Sequence, residues 1–329
     1  MADIIELSGD IFQVDLKECG YEGRTAGYFV RGKDGWMLLE TGPASSAGAI
    51  MEAVKLLGIK PEQLKYIAVT HIHLDHAGGL GVVAKYFNEA RVVLHPKGAR
   101  HMINPSRLIA GAYNFWGKEK MEQYGEVIPV AEERVINVLE GDVIDLGDRK
   151  IEVWETPGHA KNHVCYYDTR TRGVFSGDAL GVFSPKLSRL LERPVLRPAT
   201  PAPDFNGELM FKSLYRVATS KIEQIYFTHF GVGRPSQLLI ENILGQLSVF
   251  MEMGRSYSEQ KGADEKNNEQ KNLENLQLEM EQYIRKGLLG PKKNLEKTGI
   301  LTEQDWEFQV NMIRMSAGGI LQYLNKVKC

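Results

Sequence analysis

At 329 residues, with 43% hydrophobic and 25% charged residues, the chain has a globular composition and is long enough for one large domain with an appendage. A formal net charge of −2 supplies no global basic field to recruit nucleic acid or an anionic membrane. Three widely spaced cysteines, Cys19, Cys165 and Cys329, make no disulfide framework, and the acidic opening Met1-Ala2-Asp3-Ile4-Ile5-Glu6 lacks the basic flank of an export signal; no apolar run reaches membrane-spanning length, so the expectation is a cytoplasmic protein with a small-molecule substrate.

Alternating apolar residues and Gly-Asp turn signals predict short strands over 4–7, 11–14, 26–30 and 36–40. Residues 45–57 have helical apolar spacing and stop at Gly58. From Pro61 the chain approaches an apolar strand that ends at Thr70 and runs into His71-Ile72-His73-Leu74-Asp75-His76-Ala77-Gly78-Gly79. Three histidines and a carboxylate within six positions are too dense for a packed core. In extended backbone His71 and His73 project to the same side and can share one ion. Asp75 and His76 fall where the chain turns into a helix and can face a second ion, while Gly78 and Gly79 leave room for the backbone to bend close to the metals. Imidazole and carboxylate without thiolate suit zinc, iron or manganese in a site with an open coordination position.

A helix over 80–87 and a strand over 91–94 follow. His95 and His101 lie outside ligand spacing and read as hydrogen-bonded structural residues. Tyr113, Phe115 and Trp116 are candidates for lining a pocket, although an aromatic stripe equally serves a core. Strand patterns return over 127–130, 135–139, 142–146 and 151–155, the last leading into Thr156-Pro157-Gly158-His159, where Pro157 ends pairing and Gly158 permits a sharp turn. Strands over 164–168 and 173–175 precede Ser176-Gly177-Asp178; a proline-rich loop over 193–203 crosses the surface near the cleft; a helix over 205–219 and a strand over 224–227 deliver Thr228-His229-Phe230-Gly231. Beyond Pro235, helices are expected over 236–253, 272–286 and 305–328, with a solvated polar stretch over 262–271, and no repeat or long heptad.

The run His71-x-His73-x-Asp75-His76, with the later Thr-Pro-Gly-His and Gly-Asp blocks and His229 in order, resembles the signature of the metallo-β-lactamase superfamily over residues 4–231. The resemblance implies an α/β fold, a four-layer αββα sandwich, as a catalytic domain over 1–235 with a helical extension over 236–329. It implies that His71, His73 and His159 hold one metal ion and Asp75, His76 and His229 another, with Asp178 shared. His163 has counterparts that are not ligands. Glu40 stands where the family places an Asp that braces the metal loop, one methylene longer, so a plain surface carboxylate is the competing reading. The segment around 104–116 matches a position where insertions overhang the active site.

Complete dinuclear ligands look most like glyoxalase II and the acyl-lactone hydrolases. They imply hydrolysis of a thioester, ester or lactone by a hydroxide bridging two divalent ions, zinc first and iron or manganese otherwise, with Asp75 accepting the water's proton. The alternatives are a mononuclear iron persulfide dioxygenase using His71, His159 and Asp178, or a ligand-binding regulator on the same scaffold. A flavin-linked diiron oxygen reductase would carry Glu at position 73, and a nucleic-acid phosphodiesterase would carry a basic arm. The C-terminal helices can clamp the sandwich, cap the pocket or form a homodimer.

Overall fold

The structure is a computed structural model that describes residues 2–259, 265–289 and 302–327. Residues 262–264 of the expected polar stretch over 262–271 and Cys329 lie outside these residues, and 265–271 are helical. A seven-stranded sheet follows chain order: β1 (Ile4–Glu6), β2 (Ile11–Asp15), β3 (Ala26–Gly32), β4 (Gly35–Leu39), β5 (Leu64–Ala68), β6 (Arg91–Leu94) and β7 (Val135–Asn137). Its first four strands are antiparallel hairpins; from β4 onward pairing is parallel, and the crossovers carry α1 (Ala47–Leu56), α2 (Leu74–Ala77), α3 (Leu80–Tyr86), α4 (Pro96–Ile103) and α5 (Ser106–Tyr124).

The second sheet is built from β8 (Val143–Asp145), β9 (Lys150–Glu155), β10 (Val164–Asp168) and β11 (Gly173–Phe175), completed by β14 (Gln224–Tyr226) and β15 (Val232–Gly233). Between β11 and β14 lie β12 (Val182–Phe183), α6 (Pro185–Leu191), β13 (Leu196–Arg197) and α7 (Gly207–Thr219); β12 and β13 pair as a small separate sheet. The chain ends in α8 (Gln237–Ser258), α9 (Glu265–Leu289) and α10 (Glu303–Val327).

The strands read as nearly continuous apolar runs because both of their faces are covered. In β3, Tyr28 and Val30 face the second sheet while Phe29 faces the helices; Met37 and Leu39 alternate with Leu38, and Ala68 and Val93 with Ile67 and Val92, in the same way. Residues Ile151, Val153, Tyr166 and Phe175 close the inter-sheet layer from the other side. Beyond the second sheet, Cys165, Val174 and Ile225 share a core with Met210 and Leu214 of α7 and with Leu247, Met280 and Ile320 of the last three helices. The order helix, sheet, sheet, helix is therefore the expected αββα sandwich with a C-terminal helical extension, and that extension is packed into the same core as the second sheet.

Arg149 fastens the two sheets at one end. It is 1% exposed, and its guanidinium donates to Asp168 at 3.2 and 3.1 Å and to the Arg31 carbonyl at 2.8 Å. Two expectations fail. Residues 127–130 form no strand: Val130 N–H donates to the Met102 carbonyl, and the segment lies so tightly on α3 that a Cβ at Gly81 would meet the Ile128 carbonyl. Nor does the proline-rich segment cross the surface. It includes β13, and residues 195–201 are buried, pinned to the last helix by Thr200 Oγ1 donating to the Ser316 carbonyl at 3.0 Å and Ser316 Oγ donating to the Pro198 carbonyl at 3.2 Å.

Candidate metal centre

The end of β5 is held from both sides before it delivers its histidines. Thr70 N–H donates to Glu40 Oε1 at 3.0 Å, Val164 N–H donates to the Thr70 carbonyl at 2.9 Å, and Tyr166 OH donates to the Val69 carbonyl at 3.1 Å. With the strand end fixed to both sheets, His71 and His73 emerge in place and Asp75 and His76 follow on the single turn of α2. Glycines finish the two later loops. Gly158 has φ +140° and lies where a Cβ would be 2.4 Å from the Met210 backbone, and Gly177 has φ +47° beside His163 and Thr70.

All seven sequence-derived candidates meet at one place, in three overlapping groups: His71, His73 and His159; His71, His76 and Asp178; Asp75, His76 and His229. His71 Nε2, His73 Nδ1 and His159 Nε2 form a triangle with sides of 2.9, 2.9 and 3.1 Å. His159 Nδ1–H donates to the Ala199 carbonyl at 2.9 Å, which leaves its Nε2 as a bare lone pair. Burial and the neighbouring imidazoles push the His71 pKa well down, and burial followed by His159 lowers that of His73 to about 4. Converging neutral nitrogens cannot all serve one another as donors, but they fit a cation: nitrogen ligands about 2.0–2.1 Å from a tetrahedral ion stand about 3.3 Å apart.

Asp178 spans to the second group. Its Oδ2 is 3.4 Å from His159 Nε2, whereas Oδ1 is 3.4 Å from His76 Nε2 and 3.3 Å from His229 Nε2. Asp75 Oδ2 lies 3.7 Å from Nε2 of both His76 and His229. The buried atoms His76 Nε2, His229 Nε2 and Asp178 Oδ1 make no hydrogen bond, so three orphaned polar atoms face a common point. Burial opposes charge on His76 and His229, yet Asp178, with Asp75 and Glu40 at His76, raises both pKa values. Burial likewise opposes the carboxylates, but the imidazoles outweigh it, and Asp178 is held well below the usual range and Asp75 below it. Such a field favours a cation. Two adjacent clusters of this donor set are suited to divalent metal ions.

Neighbouring residues set the orientation of this cluster. Glu40 is 1% exposed, not a surface carboxylate; its Oε2 lies 3.3 Å from His76 Nδ1 while Oε1 holds Thr70. Asp178 N–H donates to His163 Nε2 at 3.0 Å, so His163 carries its proton on Nδ1 and gives it to Thr156 Oγ1 at 2.8 Å. His163 thus fixes the Asp178 loop and turns no nitrogen toward the cluster. His95 caps α4, with Nδ1 accepting from Lys97 N–H at 3.1 Å, and His101 accepts from Arg100 Nε at 3.2 Å; neither joins the group, as expected. Gly78 and Gly79 do not bring backbone to the metals. They admit the Thr41-Gly42-Pro43 backbone instead, which a Cβ at Gly78 would meet 3.0 Å away at Pro43 Cα.

The cluster forms the floor of a cleft of about 1330 Å³. One wall is α5, contributing Leu108, Phe115 and Trp116; another is α10, contributing Phe308, Met312 and Met315. Tyr113 is 45% exposed and does not line it, because residues 108, 112, 115 and 116, ahead of the kink at Gly117, share one helical face from which 113 points away. The cleft wall formed by α10 carries no local sequence signal. A row of cations from Lys97 to Arg107 at the rim was legible only as basic density within 97–107.

The model of the metallo-beta-lactamase superfamily matches residues 20–229. Among curated relatives, a hydroxyacylglutathione hydrolase of Methylobacterium nodulans is 33% identical over 148 residues, 45% of this chain and 44% of that one. The acyl-coenzyme A thioesterase MBLAC2 of Gallus gallus is 30% identical over 190 residues, 53% of this chain and 64% of that one. The matched segments span less than two thirds of either relative. Among solved structures, a superfamily protein of Sulfolobus tokodaii superposes with a TM-score of 0.61 at 19% identity, covering 91% of this chain and 93% of that one. A family protein of Thermus thermophilus gives a TM-score of 0.64 at 18% identity, covering 92% and 89%. At such identities these two speak for the fold alone.

Proposed function

The chain belongs to the metallo-beta-lactamase superfamily, and from that premise we propose that it is a dinuclear metal-dependent hydrolase of thioesters, esters or lactones. The observation that carries this reading is the convergence of seven ligand-type side chains, with three orphaned polar atoms, on the floor of a large cleft. A hydroxyacylglutathione hydrolase and an acyl-coenzyme A thioesterase among the relatives favour a thioester.

In this reading His71, His73 and His159 hold one ion, Asp75, His76 and His229 the other, and Asp178 both. Bound there, the ions, zinc by preference for this nitrogen-rich set, would supply a water of lowered pKa and a Lewis acid for the scissile carbonyl. The chain's own residues do the rest. Asp178 keeps its charge at neutral pH under the influence of three imidazoles. Asp75, still partly exposed and ionised, is the group that accepts the attacking water's proton on its carboxylate. Thr156, His163 and Glu40 hold the ligands in register. The apolar walls of α5 and α10 take the acyl group and exclude water.

We place the boundary between the catalytic sandwich and the extension at residues 235 and 236, supported by the end of β15 at Gly233 and the start of α8 at Gln237. A cytoplasmic setting is supported by the free thiols Cys19 and Cys165. A homodimer through the C-terminal helices is supported by the exposed Leu278 and Tyr283 of α9, and light scattering tests it.

The functional test is metal analysis by plasma mass spectrometry of protein purified without added metal, together with turnover of a thioester, ester and lactone panel. Two divalent ions per chain with hydrolysis are expected. A single iron with no hydrolysis would overturn the reading in favour of oxygen-dependent sulfur chemistry.

A further inference from the structure

The described lining of the cleft carries seven Lys and Arg side chains against four carboxylates outside the metal cluster, in a chain whose formal net charge is −2. The excess is not spread evenly. Lys97 and Arg100 stand three residues apart on α4, Arg107 opens α5, and Lys161 follows His159 by two positions. Lys161 is engaged, 2.8 Å from Asp204. Lys97, Arg100 and Arg107 make no ion pair among the described residues, and all three are exposed. His101 reports their proximity: burial lowers its pKa first, and Arg100 and Arg107 lower it further.

The helix that carries Lys97 and Arg100 is seated on the loop between His71 and His73. Gly98, between Lys97 and Arg100, packs so closely that a Cβ there would be 2.7 Å from Ile72 Cγ2 and 3.2 Å from Asn162 Oδ1. Ile72 separates His71 from His73, and its N–H donates to the same Asn162 Oδ1 at 3.1 Å. Helix α4 is therefore fixed against the loop that carries His71 and His73, and its Lys97 and Arg100 line the same cleft as His73 and His159. The α5 and α10 walls line the rest of the cleft with apolar and aromatic side chains, among which Glu18, Arg24 and Lys120 also stand. A volume of about 1330 Å³ exceeds the roughly 300–1,000 Å³ of ordinary ligand pockets, so the cleft has room for a large ligand with a charged and an apolar part.

We propose that Lys97, Arg100 and Arg107 form a phosphate-binding lip that selects acyl thioesters of a phosphorylated thiol, with the phosphates on the lip and the acyl chain between α5 and α10. The proposal rests on the thioesterase reading above and narrows it to one class of leaving group. Hydrolysis is redox-neutral: the acyl carbon gains the oxygen of water, the C–S bond breaks, and the sulfur leaves with a proton as the free thiol. Arginine and lysine suit phosphate because the partner is charged and multiply accepting, and exposed cations lose that advantage as salt screens them.

The test uses the metal-loaded protein and its K97Q/R100Q/R107Q variant, whose changes are all at exposed positions. Turnover of an acyl-coenzyme A is compared with that of the same acyl group on N-acetylcysteamine. The wild type should favour the coenzyme A ester by at least about tenfold in kcat/KM, as expected for even one charge-assisted phosphate contact. In the variant this ratio should collapse toward one through KM, and added salt should erode it in the wild type alone. Calorimetry with free coenzyme A and with pantetheine needs no turnover and separates the two claims. Hydrolysis of both esters with no coenzyme A preference would overturn the lip and leave the hydrolase reading standing. Coenzyme A binding that depends on the three cations, without hydrolysis of any ester, would support the lip and overturn the hydrolase. Tighter cation-dependent binding of a single-stranded oligonucleotide than of coenzyme A would overturn the thiol-carrier assignment.

Discussion

Replacing Glu40 by Gln changes one oxygen to an amide and nothing else in volume. In the wild type Oε1 accepts from Thr70 N–H and Oε2 faces His76 Nδ1 at 3.3 Å. A carboxylate there favours the tautomer with the proton on Nδ1, leaving His76 Nε2 free to meet a cation. In Glu40→Gln the carbonyl oxygen can still serve Thr70, so the NH2 is turned toward His76. Nδ1 must then accept, the proton moves to Nε2, and the lone pair that the second ion requires is lost. Substitutions of groups that orient metal ligands cost about 10–100-fold in metal affinity, or about 1.4–2.8 kcal/mol. The loss should fall on one of the two metal equivalents, because His71, His73 and His159 do not touch Glu40. Chelator competition followed by metal analysis reads this directly, with the melting temperature of the metal-free protein as the control for folding. If Glu40→Gln binds both equivalents as tightly as wild type, or loses both equally, the tautomer argument is wrong.

Other outcomes follow from the same structure. Arg149→Met leaves Asp168 as an uncompensated buried charge and should cost about 3–5 kcal/mol in denaturant melts; R149M/D168N should recover much of that, and a double variant no better than the single would refute the pairing. Gly158→Ala places a Cβ 2.4 Å from the Met210 backbone at φ +140°, so a loss of at least about 1–3 kcal/mol together with weakened metal binding is expected, and a wild-type melting temperature would count against it. Burial pushes the Cys165 thiol up to about 12; it should resist Ellman's reagent at pH 8 until the protein is unfolded, and rapid modification of the native chain at this residue would contradict its placement.

The layered fold and the first four residues of the cluster were readable from sequence because their signals are local, whereas His159, Asp178 and His229 stood out only through the resemblance to the superfamily's later blocks. Alternating apolar residues mark strands, and His71, His73, Asp75 and His76 lie within six positions of one another. What failed depends on packing that no local pattern records. Residues 127–130 have strand composition but meet α3 instead of an edge strand, and the proline-rich segment is buried because α10, more than a hundred residues later, closes over it. Glu40 was ambiguous because chain position cannot show whether one extra methylene reaches Thr70. Of three aromatic candidates, helical phase alone distinguishes Phe115 and Trp116, which face the cleft, from Tyr113, which does not.

The two walls of the cleft have different origins. Every candidate ligand lies at or before His229, on loops braced by the two sheets, whereas Phe308, Met312 and Met315 come from a helix that begins seventy residues after the last strand. Selection acting on that helix can retune which ligands enter without disturbing the cluster below, so diversification of the cleft and preservation of the candidate metal centre are, in this architecture, separately inherited.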